Sequence, residues 1–131
     1  MFAKFRQSML MLCLSFTVVT SSGCFALLLG GAAGAAGVVY IQGILEKNFD
    51  RGLKDTHTAT LKALKAEDIF VKTDELNVAN SEIKGEFDDG EKIQINIDAL
   101  TEKSSKVKIR VGVFGDELKS NMIMSAIEKR L

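Results

Sequence analysis

Hydrophobic and polar positions follow different rhythms along the chain. Met9 to Val19 is an apolar run without charge, and Phe25 to Leu45 is a second one. In that second run of 21 residues, Tyr40 and Gln42 are the only clearly polar side chains. From Glu46 onward charge is frequent and the apolar residues become periodic. Between Ile44 and Ala66 the spacing predicts an amphipathic helix. Leu45, Phe49, Leu53, Thr56, Thr60, Ala63 and Leu64 share one side at about 100° per residue, and Lys47, Arg51, Lys54, Lys62 and Lys65 share the other.

The period then shortens to two. Ile69-Phe70-Val71 begins a short strand. Ala79, Ser81, Ile83, Gly85 and Phe87 alternate with Asn80, Glu82, Lys84 and Glu86. Asp88-Asp89-Gly90 follows, and Asp-Gly between alternating runs signals a hairpin. Ile93, Ile95 and Ile97 continue the alternation, as do Val107, Ile109, Val111 and Val113. One buried and one wet face is the pattern of an antiparallel sheet. Asp116 is a predicted N-cap, and Ser120, Ile123, Met124, Ile127 and Leu131 form the inner stripe of a closing helix. The expected fold is α+β, in the order α-β-β-β-β-α. Two helices cover one face of a small four-stranded antiparallel sheet. Three regions result: 1–23, 24–45, and a folded domain 46–131.

Region 1–23 has the layout of a secretory signal peptide. Lys4 and Arg6 supply the positive start, Met9–Val19 the apolar run, and Thr20-Ser21-Ser22-Gly23 the small-residue stretch before Cys24. Ser21-Ser22-Gly23-Cys24 resembles a lipobox, the processing site of bacterial lipoproteins. That resemblance implies cleavage between Gly23 and Cys24 and acylation of Cys24. Ser21 stands where an aliphatic residue is usual. Leu12, before Cys13, is too large for the same chemistry. The alternatives are an ordinary signal peptide followed by a chance cysteine, and an uncleaved anchor. Phe25 follows the cysteine in place of the aspartate that marks inner-membrane retention. The resemblance therefore implies attachment to the outer membrane, with the domain facing the periplasm. Membrane lipid is then one partner, and an unidentified envelope protein or ligand another.

Phe25–Leu45 has two readings. One is a tether or membrane-lying segment. The other is a self-associating helix over 27–43, with Gly30, Gly34 and Gly37 giving small-residue spacing for close helix pairing in lipid. The run is long enough to span a bilayer, but its five glycines weaken a helix in water.

Charge and candidate chemistry narrow the function by exclusion. Without Lys4 and Arg6 the remaining chain carries 15 basic and 17 acidic residues. That balance does not suggest a nucleic-acid partner. His57 is the single histidine and sits at the edge of the predicted helix stripe. A Ser/His/Asp set would have to use it, and no Gly-x-Ser-x-Gly elbow accompanies it. Glu86, Asp88, Asp89 and Glu91 lack the ligand spacing of a calcium loop and read as a solvated turn. Asp116-Glu117 reads as a helix start rather than an acid/base pair. No catalytic residue, metal ligand or cofactor is expected.

The lipobox, the Gly/Ala-rich stretch, the amphipathic helix and the final segment Ile109-Arg110-Val111-Gly112-Val113-Phe114-Gly115-Asp116-Glu117 together resemble a family of small proteobacterial lipoproteins. That family is known only as a domain of unknown function. The resemblance implies a fold and a location, and no activity. The expected role is a non-enzymatic structural or interaction module anchored in the bacterial envelope.

Overall fold

The computed structural model describes residues 37–131. Two strands come first, β1 (Val38–Ile41) and β2 (Ile44–Phe49), followed by helix α1 (Leu53–Ala66). Four more strands follow: β3 (Phe70–Leu76), β4 (Asn80–Glu86), β5 (Lys92–Thr101) and β6 (Ser104–Val111). Helix α2 (Glu117–Glu128) closes the chain. All pairings are antiparallel, in one sheet of order β1-β2-β6-β5-β4-β3.

This corrects the expected architecture. The sheet has six strands rather than four, and the element order is β-β-α-β-β-β-β-α. The expected helix over Ile44–Ala66 is a strand up to Phe49 and a helix only from Leu53. The reason lies in the spacing. Residues i and i+4 fall on one side of a strand as well as of a helix, so Leu45 and Phe49 suit either. The link between β1 and β2 decides for the strand. Gln42 and Gly43 both have positive φ, 52° and 82°, as a two-residue hairpin turn requires. Residues 37–43, the end of the 27–43 stretch that the second reading makes a self-associating helix, are thus a turn, a strand and a second turn. Gly37 itself has a φ of 66°. The sheet also runs across the expected boundary at Glu46, since Glu46 pairs with Val39 on one side and Lys108 on the other.

Along β4, β5 and β6 the period-two reading matches the structure, whereas Ala79 and most of β3 are exposed. Ile93, Ile95, Ile97, Val107, Ile109 and Val111 are buried, and so are Ser81, Ile83 and Gly85. Ile83, Ile95, Ile109 and Leu45 stand in one row across β4, β5, β6 and β2, each opposite the next. Over this face lie both helices. Ala59, Ala63 and Leu64 of α1, with Ile123, Met124 and Ile127 of α2, join the strand side chains in one core. Val113 departs from the expected alternation and is exposed, because β6 ends at Val111 and Gly112 turns with a φ of 70°.

Helix α1 carries the chain from the β1–β2 hairpin to the far edge of the sheet. The meander β3–β6 then returns to β2, so β2 and β6 pair although far apart in sequence. The edge strands are β1 and β3. Strand β3 is interrupted between Val71 and Thr73 by a register shift and carries Lys72, Asp74 and Glu75. Such features keep an edge from recruiting foreign strands. The second sheet face holds the alternate, mostly polar residues, among them Glu82, Lys84, Gln94, Asn96, Lys108 and Arg110.

Candidate functional site

The most concentrated polar chemistry of the domain lies between α1 and the sheet. Thr56, His57 and Thr60 are buried on the inner side of α1. Thr56 Oγ1 is 2.8 Å from Ser105 Oγ on β6, and Thr60 Oγ1 donates to the Thr56 carbonyl at 2.7 Å. His57, 6% exposed, lies between two sheet residues. Its Nδ1 is 2.6 Å from Ser81 Oγ on β4, and its Nε2 is 3.1 Å from Asp74 Oδ1 on edge strand β3. The tautomer protonated on Nε2 satisfies both contacts, donating to Asp74 and accepting the Ser81 hydroxyl.

These are the three residue types of a nucleophilic relay, but the placement argues for a structural clasp. Ser81 is 2% exposed and faces the helix, so no substrate carbonyl reaches its oxygen. The clasp ties three elements together and satisfies polar groups that would be costly to bury unpaired. The sequence put His57 at the margin of the helix stripe; the structure places it inside, because β3 folds Asp74 over it.

The acidic turn between β4 and β5 is held by lysines. Lys119 of α2 bonds Asp89 Oδ2 at 3.0 Å and also Glu91, while Lys72 pairs with Glu86. Hydrogen bonding from the Glu91 amide, aided by the Lys119 ammonium, holds the Asp89 carboxyl below its usual range. The bonds to Glu91 and then Asp89 hold Lys119 above its own. Lys119 also stands 4.7 Å from the centre of the Phe87 ring. No group of His, Cys, Asp or Glu that could hold a metal is found among the described residues. Asp116 is the N-cap expected of it, accepting from the Lys119 amide at 3.0 Å.

One group of exposed apolar residues lies at the end of the sheet opposite Val38, and Leu76 and Val78 are exposed at the other end. Gly43, in the β1–β2 turn, and Gly115 approach so closely that a methyl on Gly115 would lie 2.3 Å from the Gly43 Cα. Around this contact Ile41, Val113, Phe114 and Leu118 stand largely in solvent, Phe114 at 92%. The sequence pattern does not mark this corner: period two continues inward through Val113, and the β1–β2 turn that abuts Phe114 lies within the apolar run Phe25–Leu45. The Gln-Gly pair between Val38–Ile41 and Ile44–Phe49 was the available signal.

Gly23, Cys24, Gly30 and Gly34 lie outside the described residues. No described helix is long and apolar enough to cross a membrane.

The family model described as "Protein of unknown function (DUF3568)" matches residues 7–130. The chain belongs to this family. The match to DUF3568 covers part of region 1–23 as well as the folded domain, and it brings no activity or ligand with it. No curated protein matches the chain.

Proposed function

We propose that this protein is a lipoprotein of the bacterial envelope, anchored through acylated Cys24, whose domain is a non-enzymatic interaction module. The observation that carries the reading is the order of Lys4 and Arg6, an apolar run, Ser21-Ser22-Gly23 and Cys24, with a strand of the domain beginning at Val38. Phe25 to Gly37 leaves 13 residues between cysteine and sheet. As a helix that stretch falls short of the roughly 20 residues that span a bilayer, so a tether suits it better than a membrane span. Each buried methylene of an acyl chain adds about 0.8 kcal/mol, and one chain alone binds only marginally. Several chains on one cysteine make attachment durable. Phe25 after the cysteine favours the outer membrane.

The non-enzymatic part is supported by the clasp, which places the only histidine and its serine partner between helix and sheet. The interaction part is supported by the apolar corner around Phe114, which lies at the far end of the strands from Val38, where the chain enters the sheet.

Membrane fractionation of cells producing the full chain tests the anchor. Cys24→Ser should release the protein from the outer-membrane fraction or leave an uncut precursor. Cys13→Ser should fractionate like the parent. A Cys24→Ser protein processed and located like the parent would remove the basis of the proposal.

A further inference from the structure

The open sheet face carries a groove of about 410 Å³ near the Gly112 turn, and its side chains are unequal in charge. Lys72, Lys84, Lys92 and Arg110 line it, against the single carboxylate of Glu86. The cations come from four different strands, so the sheet rather than a loop fixes their spacing. Lys84, Gln94 and Arg110 stand in one row, each opposite the next across β4, β5 and β6. Strands are about 4.8 Å apart, so the two ends of this row lie roughly 10 Å apart. Lys92 belongs to the next row, opposite Glu86.

Most charges of this face are matched. Lys84 has Glu82 at 3.1 Å, Lys72 has Glu86, and Lys108 has Asp98 at 2.9 Å. Among the described residues Lys92 and Arg110 have no carboxylate within 4.0 Å. Arg110 gives one nitrogen to the Val113 carbonyl at 3.0 Å, which orients the guanidinium and leaves its other donors open. Gln94 gives its amide nitrogen to Glu82 at 2.8 Å, so its amide oxygen remains an acceptor. An oriented arginine fork with a lysine beside it matches the geometry of a phosphate or carboxylate group. An acceptor alongside suits a hydroxyl on the same molecule. The volume fits a small molecule and not a duplex nucleic acid.

We propose that this groove binds the anionic group of a small hydroxylated ligand, a phosphate or a carboxylate, on Arg110 and Lys92, with Gln94 taking the adjacent hydroxyl. The same chemistry is presented by a soluble phosphorylated or acidic sugar and by the glycerol phosphate headgroup of phosphatidylglycerol.

Heteronuclear NMR of the full chain in neutral detergent micelles, titrated with inorganic phosphate and with glucuronate, tests this. Saturable shifts centred on Lys92, Gln94 and Arg110 are expected. Arg110→Gln should weaken binding about tenfold or more, the usual scale for losing a charged hydrogen bond. Lys106→Gln, on the same face but outside the groove, should leave it unchanged. Micelles doped with phosphatidylglycerol separate the sources. Weakened phosphate binding there supports the proposal with a lipid headgroup as ligand, and unchanged binding supports it with a soluble one. Absence of saturable shifts with either probe overturns the proposal, and so does equal loss in Arg110→Gln and Lys106→Gln.

Discussion

Ile109→Ala probes the part of the fold on which everything else stands. Ile109 is fully buried at the centre of the sheet, between Ile95 on β5 and Leu45 on β2. The substitution removes three carbons, each contributing about 0.8 kcal/mol of transfer free energy, or about 2.4 kcal/mol together. Rigid strands on both sides and helices above keep the vacated space from closing, which adds about 1–2 kcal/mol. The total of about 3.5–4.5 kcal/mol is a large share of the 5–15 kcal/mol that usually holds a domain. With a urea slope near 1 kcal/mol/M, the denaturation midpoint should fall by about 3.5–4.5 M. The neighbouring Lys108 gives the contrast. Its ammonium pairs with Asp98 at 2.9 Å, which holds its pKa above the usual lysine value, but the side chain is 34% exposed. Exposed pairs contribute about 0–1 kcal/mol, so Lys108→Ala should move the midpoint by less than about 1 M. Urea melts of the two variants, followed by circular dichroism, decide the matter. Equal shifts would refute the register, and with it the division into a helix-covered face and an open one.

Residues 38–131 expressed alone should fold, whereas 46–131 should be strongly destabilised or unfolded, because it lacks β1 and the buried Leu45; matching melts for the two fragments would contradict the role given to the first hairpin. Gly43→Ala should cost well over the roughly 1 kcal/mol expected of Gly90→Ala. Both have positive φ, but a methyl at Gly43 meets the Phe114 carbonyl at 2.5 Å while one at Gly90 meets nothing nearer than 3.9 Å; thermal melts showing equal losses would count against the close approach. The Lys119 staple should show in a pH series. Asp89 is depressed when folded, so its contribution is full above the ordinary carboxylate pKa of about 4 and is lost as pH falls through the depressed value. Lys119 is raised when folded, so its contribution is full below about 10.4 and is lost as pH rises through the raised value. The melting-temperature gap between Lys119→Met and the parent should therefore be widest near neutral pH and close at both extremes. A pH-independent gap would assign the effect to packing on Phe87.

How much of this was legible in the sequence depended on whether one periodicity excluded the other. Isoleucines at 93, 95 and 97 alternate with polar residues and fit no helix face, so β5 was plain, as were β4 and β6. Leu45 and Phe49 are four apart and fit both periods, and the helix that does follow, from Leu53, extended the illusion backward. Strand β1 was hidden because Val38-Val39-Tyr40-Ile41 adjoins an uncharged glycine- and alanine-rich stretch and merged with it. The hairpin between them turns on Gln-Gly, a weaker signal than the Asp-Gly that marked the β4–β5 turn. The clasp was out of reach for a different reason. His57, Ser81 and Asp74 meet only because α1 crosses to the far edge of the sheet, a topology that periodicity does not carry. The groove at Arg110 and Lys92 depends likewise on cross-strand register, and net charge near neutrality concealed it.

Intact-mass measurement on the protein purified from native membranes reads the anchor at Cys24. The expected species begins at Cys24 and exceeds the mass of residues 24–131 by a diacylglyceryl group and one amide-linked acyl chain. A chain of unmodified mass, beginning at Met1 or at any residue other than Cys24, would contradict it.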